Sequence, residues 1–366
     1  MTITRVAACH VALVFLSAKQ TTEKVIRLIH EAARHNAQLI VFPETFIPAF
    51  PVWSALRPPT ENHDLFQRMV TESIYADGEE IKSIRAAAQA TNTVVSLGIS
   101  EKSRFSNGTL YNSNILIGPT GAVLNHHRKL VPTFFEKLTW SPGDGAGLRV
   151  SKTEIGNIGN LICGENTNPL ARYTLMAQAE QIHISSWPAI WPTRAVPAPS
   201  PQPTTDGRTN YDNLAANRTR AAAHCFEAKC FGVLCTGFLD ANAIDIITEG
   251  ASNPESVRTT LENSPRGATM FLDPTGALHP AFKFSGDGEQ HGAEHLQHEE
   301  GILYADLDLD QCVEGKQYHD VVGGYQRFDV FKLQVNRERV DPVVFTGKNG
   351  FEEDKAKDKD IDVLDG

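Results

Sequence analysis

Val6-Ala7-Ala8-Cys9-His10-Val11, the segment from Thr21 to Arg34, and Leu39-Ile40-Val41-Phe42 decide the fold between them. The outer two are short apolar runs of strand length. The middle segment places Val25, Leu28, Ile29, Ala32 and Ala33 at spacings of mostly three and four, which puts them on one face of a helix. A strand, a helix and a strand in this order form a crossover unit, with the helix packed on the sheet it connects. That predicts an α/β layer fold.

The pattern continues outward. Glu79 to Thr91 reads as a helix and Val94 to Ile99 as a strand. Tyr111 to Ile117 and Ala122 to Asn125 flank Gly118-Pro119-Thr120-Gly121, which predicts a hairpin delivering Lys129 just past its second strand. Ala268 to Leu272 and Leu278 to Phe284 flank Asp273-Pro274-Thr275-Gly276 in the same way, so two halves of similar design and a pair of sheets are expected. Ile155 to Ile162 is a strand, and Asn168 to Ala179 a helix with Asn168 as N-cap and Pro169 in its first turn. Ile182 to Ser185 is a further strand and Tyr211 to Lys229 a long Ala-rich helix. The prolines between Trp187 and Pro203 exclude regular structure there and predict an extended loop.

The chain has 366 residues and a formal net charge of -10, without the basic footprint that a phosphate backbone requires, so nucleic acid is not an expected partner. No apolar run approaches the ~20 residues of a membrane span, and Met1 to Val6 lacks a signal-peptide pattern. A cytoplasmic protein with no membrane association is expected. Six cysteines in so long a chain suggest free thiols rather than a disulfide framework. Cys225, Cys230 and Cys235 lack close zinc-site pairing, and His291, His295 and His298 sit in an acidic stretch that reads as a solvated insertion rather than a metal site. One catalytic domain over residues 1–336 is expected, with an extension over 337–366 that is disordered from about Phe351, where Asp and Lys dominate.

Chemistry is concentrated in Asn160-Leu161-Ile162-Cys163-Gly164-Glu165-Asn166, where an apolar run ends on a cysteine with a carboxylate two positions later. Taken alone, a cysteine flanked by Leu161 and Ile162 is more often a small buried hydrophobe than a nucleophile. Two other segments change its meaning. Glu44 follows the apolar run Leu39 to Phe42, and His127-Arg128-Lys129 is followed by Glu136, so carboxylates and a cation also stand at strand ends.

Phe42-Pro43-Glu44, His127-Arg128-Lys129-Leu130, and Cys163-Gly164-Glu165-Asn166 followed by Pro169-Leu170-Ala171-Arg172 together resemble the nitrilase, or carbon-nitrogen hydrolase, superfamily. Pro132-Thr133 with Glu136 and Trp140, then Gly143-Asp144-Gly145, resemble its nitrilase branch. The resemblance runs from Arg5 to about Asn336. It departs at Gly164, where the branch usually has tryptophan, and at Gly323-Gly324-Tyr325, where it often has Gly-His-Tyr. Gly164 removes a bulky wall beside the nucleophile, leaving the space open or rebuilt by Trp187 or Trp191.

The resemblance implies a four-layer α-β-β-α sandwich and hydrolysis of a small organic nitrile to the acid and ammonia through a cysteine thioimidate and thioester. It implies Cys163 as nucleophile, Glu44 as base, Lys129 as the cation that stabilises developing charge and depresses the thiol pKa, and Glu136 as the carboxylate that orients Lys129. Gly164, Glu165, Trp187 and Trp191 are the expected substrate-side residues, with Glu165 holding local backbone and polar groups. No cofactor and no metal are implied, since addition and hydrolysis need neither. A homo-oligomer is implied, a dimer extending to a spiral or filament. A nitrile or cyanide hydratase releasing the amide, an amidase, and a catalytically idle scaffold remain as alternatives. A Cys-His protease would require one of His10, His126, His127 or His183 beside Cys163.

Overall fold

The computed structural model describes residues 3–196, 210–339 and 342–343. The prolines from Pro197 to Pro203 and the charged tail from Phe351, where a loop and disorder were expected, lie outside the described residues.

The strands are β1 (Ile3–His10), β2 (Leu39–Val41), β3 (Val94–Lys102), β4 (Leu110–Ile117), β5 (Val123–Arg128), β6 (Ser151–Thr153), β7 (Gly156–Ile162), β8 (Ile182–Trp187), β9 (Phe231–Thr236), β10 (Thr269–Leu272), β11 (Phe282–Phe284), β12 (Gln290–Gly292), β13 (His295–Leu296) and β14 (Gly301–Asp308). They form an eight-stranded sheet in the order β12-β11-β14-β1-β2-β3-β4-β5 and a six-stranded sheet in the order β13-β10-β9-β8-β7-β6. Both sheets are mixed. The pairs β1-β2, β2-β3, β7-β8 and β8-β9 are parallel, and the outer pairs are antiparallel.

Strand alternation sorts the side chains into layers. Val6, Ala8, Leu39 and Val41 of the large sheet meet Ile158, Ile182, Ile184 and Val233 of the small one in a core between the sheets. Their neighbours Ala7, Cys9, Ile40 and Val95 face the other way, onto Val25 and Ile29 of the helix Ala18–Arg34 and Ile81 and Ile84 of the helix Glu79–Thr91. On the far side, Leu234, Met270 and Leu272 pack against Ala221, Cys225 and Ala228 of the helix Asn213–Ala228. The result is the four-layer α-β-β-α sandwich. All six cysteines are free and buried.

The two expected hairpins part company. β4 and β5 pair around Gly121, whose φ of +78° suits the turn and whose Cα lies so close to Arg85 that a Cβ would stand 3.1 Å from its carbonyl oxygen. The turn at Asp273 to Gly276 also closes, with an isolated bridge from Leu272 to Leu278, but no second hairpin follows. Its second arm leaves for the other sheet, so that β10 belongs to the small sheet and β11 to the large one. Pro280 has no N–H to extend the ladder, which frees the chain to cross over. His291 and His295 lie on short strands of different sheets, not on a helix face.

Candidate active site

Glu44, Lys129 and Cys163 each stand just past the end of a strand: β2, β5 and β7. Cys163 is the first residue of a tight turn, Cys163–Thr167, and takes the left-handed conformation with φ +50°. For a residue with a Cβ that costs about 1–3 kcal/mol, so the turn must be held by other contacts. Asn166 holds it by donating from Nδ2 to the carbonyls of Leu161 at 3.1 Å and Cys163 at 3.0 Å. Glu165 accepts from the Ile162 N–H at 2.9 Å and the Leu130 N–H at 2.6 Å, and its Oε2 pairs with His127 Nε2 at 2.9 Å. Burial opposes ionisation of Glu165, but His127 and these two N–H groups outweigh it and hold the carboxyl below the usual range.

Behind this turn a buried polar chain continues. His183 pairs through Nε2 with Asn166 Oδ1 at 2.8 Å and through Nδ1 with Glu180 at 2.8 Å. The other Glu180 oxygen pairs with His224 Nε2 at 2.6 Å, and the two imidazoles stack with centroids 3.7 Å apart. Donor atoms of Glu180, His183 and His224 lie within 4.8 Å of one another, as a metal would require. Both carboxylate oxygens are already spent on imidazoles, however, and the group braces the Cys163 turn through Asn166.

The candidate reacting groups converge at Cys163 itself. A carboxylate oxygen of Glu44, one of Glu136 and the Cys163 sulfur all lie within 4.8 Å of one another, and each of these residues is buried. Lys129 Nζ joins them, donating to Glu44 Oε1 at 2.8 Å and Glu136 Oε2 at 2.6 Å. Glu136 is fixed in turn by the Thr133 N–H, which donates to Oε2 at 2.9 Å, and by Trp191 Nε1, which donates to Oε1 at 3.2 Å.

Asn112 Nδ2 donates to Glu44 Oε1 at 2.7 Å, and the backbone carbonyl of the same residue accepts the Lys129 N–H at 2.7 Å. Sequence reasoning missed this residue. The signal was present in the polar run Asn112-Ser113-Asn114 inside an otherwise apolar strand, since buried polar groups demand partners.

Burial sets the protonation of the site. It pushes the Glu44 carboxyl up to about 7, with Lys129 opposing and Glu136 assisting the rise. Burial disfavours charge on Lys129 too, yet Cys163, Glu136 and Glu44 hold its ammonium well above the ordinary lysine range. The Cys163 thiol is pushed well above its ordinary value by burial and by Glu44, against the pull of Lys129 and Arg220. Lys129 does pull the thiol pKa down as expected, but burial and the two carboxylates outweigh it. The sulfur rests protonated and needs a base at the moment of attack.

A chamber of about 290 Å³ opens over Cys163, with Gly164, Trp187, Trp191, Tyr211 and Arg220 among its walls. A Cβ on Gly164 would stand 2.7 Å from Thr133 Oγ1, so the space beside the nucleophile is occupied by the Thr133 side chain. Glu165 is absent from the walls of this chamber. It lines a separate depression of about 310 Å³ with Leu130, Phe134 and Asn168. None of His10, His126, His127 and His183 pairs with Cys163 among the described contacts, and each has other partners.

A buried thiol beside two carboxylates, with a lysine held between them, stands at the strand ends of an α-β-β-α sandwich. The sequence profile described as carbon-nitrogen hydrolase matches residues 5–317, and the chain belongs to that family. It is 33% identical over 346 residues to a nitrilase of Paraburkholderia phymatum, covering 93% of this chain and 89% of that protein. It is 32% identical over 332 residues to a cyanide hydratase of Gibberella zeae, covering 89% of this chain and 85% of that protein. In fold it is similar to the crystal structure of a carbon-nitrogen hydrolase from Helicobacter pylori G27, with a TM-score of 0.61 and 18% identity over 86% of this chain and 92% of that one.

Proposed function

We propose that this chain is a nitrilase, converting a small organic nitrile and two waters to a carboxylic acid and ammonia. The observation that carries the reading is Lys129, a fully buried ammonium aimed by Glu44 and Glu136 at the region of the Cys163 sulfur. A nitrile is a weak electrophile whose nitrogen gains negative charge on attack, and a desolvated cation at that point stabilises the charge by a few kcal/mol.

Glu44 Oε1 is committed to Lys129 and Asn112, whereas Oε2 is buried without a partner among the described residues. That free oxygen takes the thiol proton as sulfur adds to the cyano carbon, and the proton passes to the nitrogen to give the thioimidate. Water activated by the same carboxylate adds, ammonia leaves, and a thioester remains. A second water releases the acid and restores the thiol.

Similarity to a cyanide hydratase supports a second reading, in which the tetrahedral intermediate expels sulfur instead of ammonia and an amide is released. Ammonia release and product analysis on a panel of aliphatic, arylaliphatic and aromatic nitriles, with cyanide included, test both. Acid with stoichiometric ammonia supports the nitrilase reading and amide without ammonia the hydratase. Inertness toward every nitrile, with amides cleaved, overturns both.

A further inference from the structure

The chamber over Cys163 is unequal in charge. Its described polar walls include Thr133, Thr167, Tyr211, Asn213 and Asn217, all neutral, and, among the described residues, a single cation, Arg220. Neither Glu44 nor Glu136 is among its described walls; Glu44 Oε1 and Glu136 Oε2 accept from Lys129, and Glu136 Oε1 accepts from Trp191. Arg220 is therefore the one charged side chain among the described walls of the chamber, in a chain whose formal net charge is -10.

Arg220 is fixed in place without being neutralised by any described residue. Its guanidinium carbon stands 5.3 Å from the centre of the Trp187 ring and 6.0 Å from that of Tyr211, and Nη1 donates to Asn217 Oδ1 at 3.3 Å. Asn217 is itself buried and sits three residues earlier on the same helix, so it orients the guanidinium but brings no charge. A guanidinium offers five donors in a planar fork, and most remain for a ligand. Trp187, buried in the same wall, has an indole N–H with no partner among the described residues. A buried donor left unpaired is costly, and an acceptor on the ligand would satisfy it.

We infer that Arg220 receives a carboxylate carried by the substrate on the arm remote from the cyano carbon, so that the enzyme prefers cyanocarboxylic acids over neutral nitriles. The planar fork matches a carboxylate in a two-point contact, and one unpaired cation balances one negative charge. The inference rests on the nitrilase reading for the reacting end of the ligand. The overall step is then cyanocarboxylate plus two waters to dicarboxylate plus ammonium, with no redox partner.

The test compares ω-cyanocarboxylates of increasing chain length with their methyl esters, read as the ratio of kcat/KM for acid over ester at each length. Wild type is expected to favour the acid about tenfold or more at its best length, a difference of about 1.4 kcal/mol. Arg220→Gln should bring the ratio close to one, mainly through KM for the acid, and Arg220→Lys should keep part of the preference. A ratio near one in wild type at every length, or a ratio unchanged in Arg220→Gln, overturns the inference and leaves the nitrilase reading standing. Calorimetric titration of Cys163→Ala with the same acids reads the anion contact without chemistry. Binding that is lost in Cys163→Ala/Arg220→Gln, from a wild type that turns over no nitrile, supports the anion site and removes the nitrilase reading instead.

Discussion

Lys129 Nζ lies 2.8 Å from Glu44 Oε1, and the second oxygen of that carboxylate is buried with no partner among the described residues. One atom of Glu44 therefore holds the cation in place while the other is free to move protons. Replacing Glu44 with Gln keeps the shape and removes the base. A drop in kcat of about 10²–10⁴-fold is expected, as for loss of a general base, with Cys163 still present to be labelled by an electrophile. Steady-state kinetics beside circular dichroism checks this, and a change of less than threefold would exclude Glu44 as the base.

The pH dependence follows from the same carboxyl, pushed up to about 7 by burial. A base must be ionised to act, so kcat/KM should fall below pH 7 by up to tenfold per unit and level off above it. Glu136 contributes to the rise, and Glu136→Gln should therefore move the acid limb to lower pH while also lowering the rate through Lys129. A limb that stays in place in that variant would show that Glu136 does not act on Glu44 electrostatically.

Gly164 and Thr133 form a steric pair, since a Cβ at position 164 would stand 2.7 Å from Thr133 Oγ1. Gly164→Ala should cost about 1–3 kcal/mol of stability as an overpacked substitution, and Gly164→Trp more. Thr133→Ala in the same chain should recover part of that loss. Chemical denaturation of the two single variants and the double variant measures the coupling, and strict additivity would contradict the contact.

Acid should weaken the brace behind Cys163 in two stages. Burial and His183 hold His224 down to about 4 from an ordinary 6.5, so the folded state resists a proton that the unfolded chain accepts, and stability falls as pH drops through that interval. Glu180 is held down to about 2 by His183 and His224 despite burial, so its contribution is full above an ordinary 4.5 and is lost as pH falls further toward 2. Melting temperature measured by calorimetry from pH 7 to pH 3 should therefore decline across both intervals. Glu180→Gln should melt lower at pH 7 and show a flatter acid decline; a parallel curve would place the acid sensitivity elsewhere.

Self-association is expected through the stretch from Tyr318 to Phe331, where Tyr318, Tyr325, Phe328 and Phe331 are each at least 63% exposed. Several large apolar side chains left in solvent on one segment favour burial against a second copy. Sedimentation velocity should show a dimer or larger species, and Phe328→Asp with Phe331→Asp should shift it toward monomer. A wild-type monomer at micromolar concentration would remove the expectation.

The opening strand, helix and strand were legible because their signals are local: Val6 to Val11 alternates between two faces, and Val25, Leu28 and Ile29 share one. Cys163, Glu44 and Lys129 were legible for a related reason, since each directly follows an apolar strand or a motif of the superfamily. The second hairpin was misread because the pairing of β11 depends on the other sheet, which no turn signal at Asp273 can encode. Asn112 reaches Glu44 across 68 positions, and Arg220 comes from a helix whose Ala-rich sequence marks only helicity.

The chain's own order of residues thus determined the layers and pointed to the candidate reacting groups, because hydrophobic period and strand ends are properties of neighbours in sequence. Tertiary structure alone decided the shifts in their pKa values and which charged side chain lines the chamber. Burial of Cys163 among Glu44, Glu136 and Lys129, and the placement of Arg220 against Trp187, are set by which distant segments meet, and desolvation acts on the assembled site rather than on any segment of it.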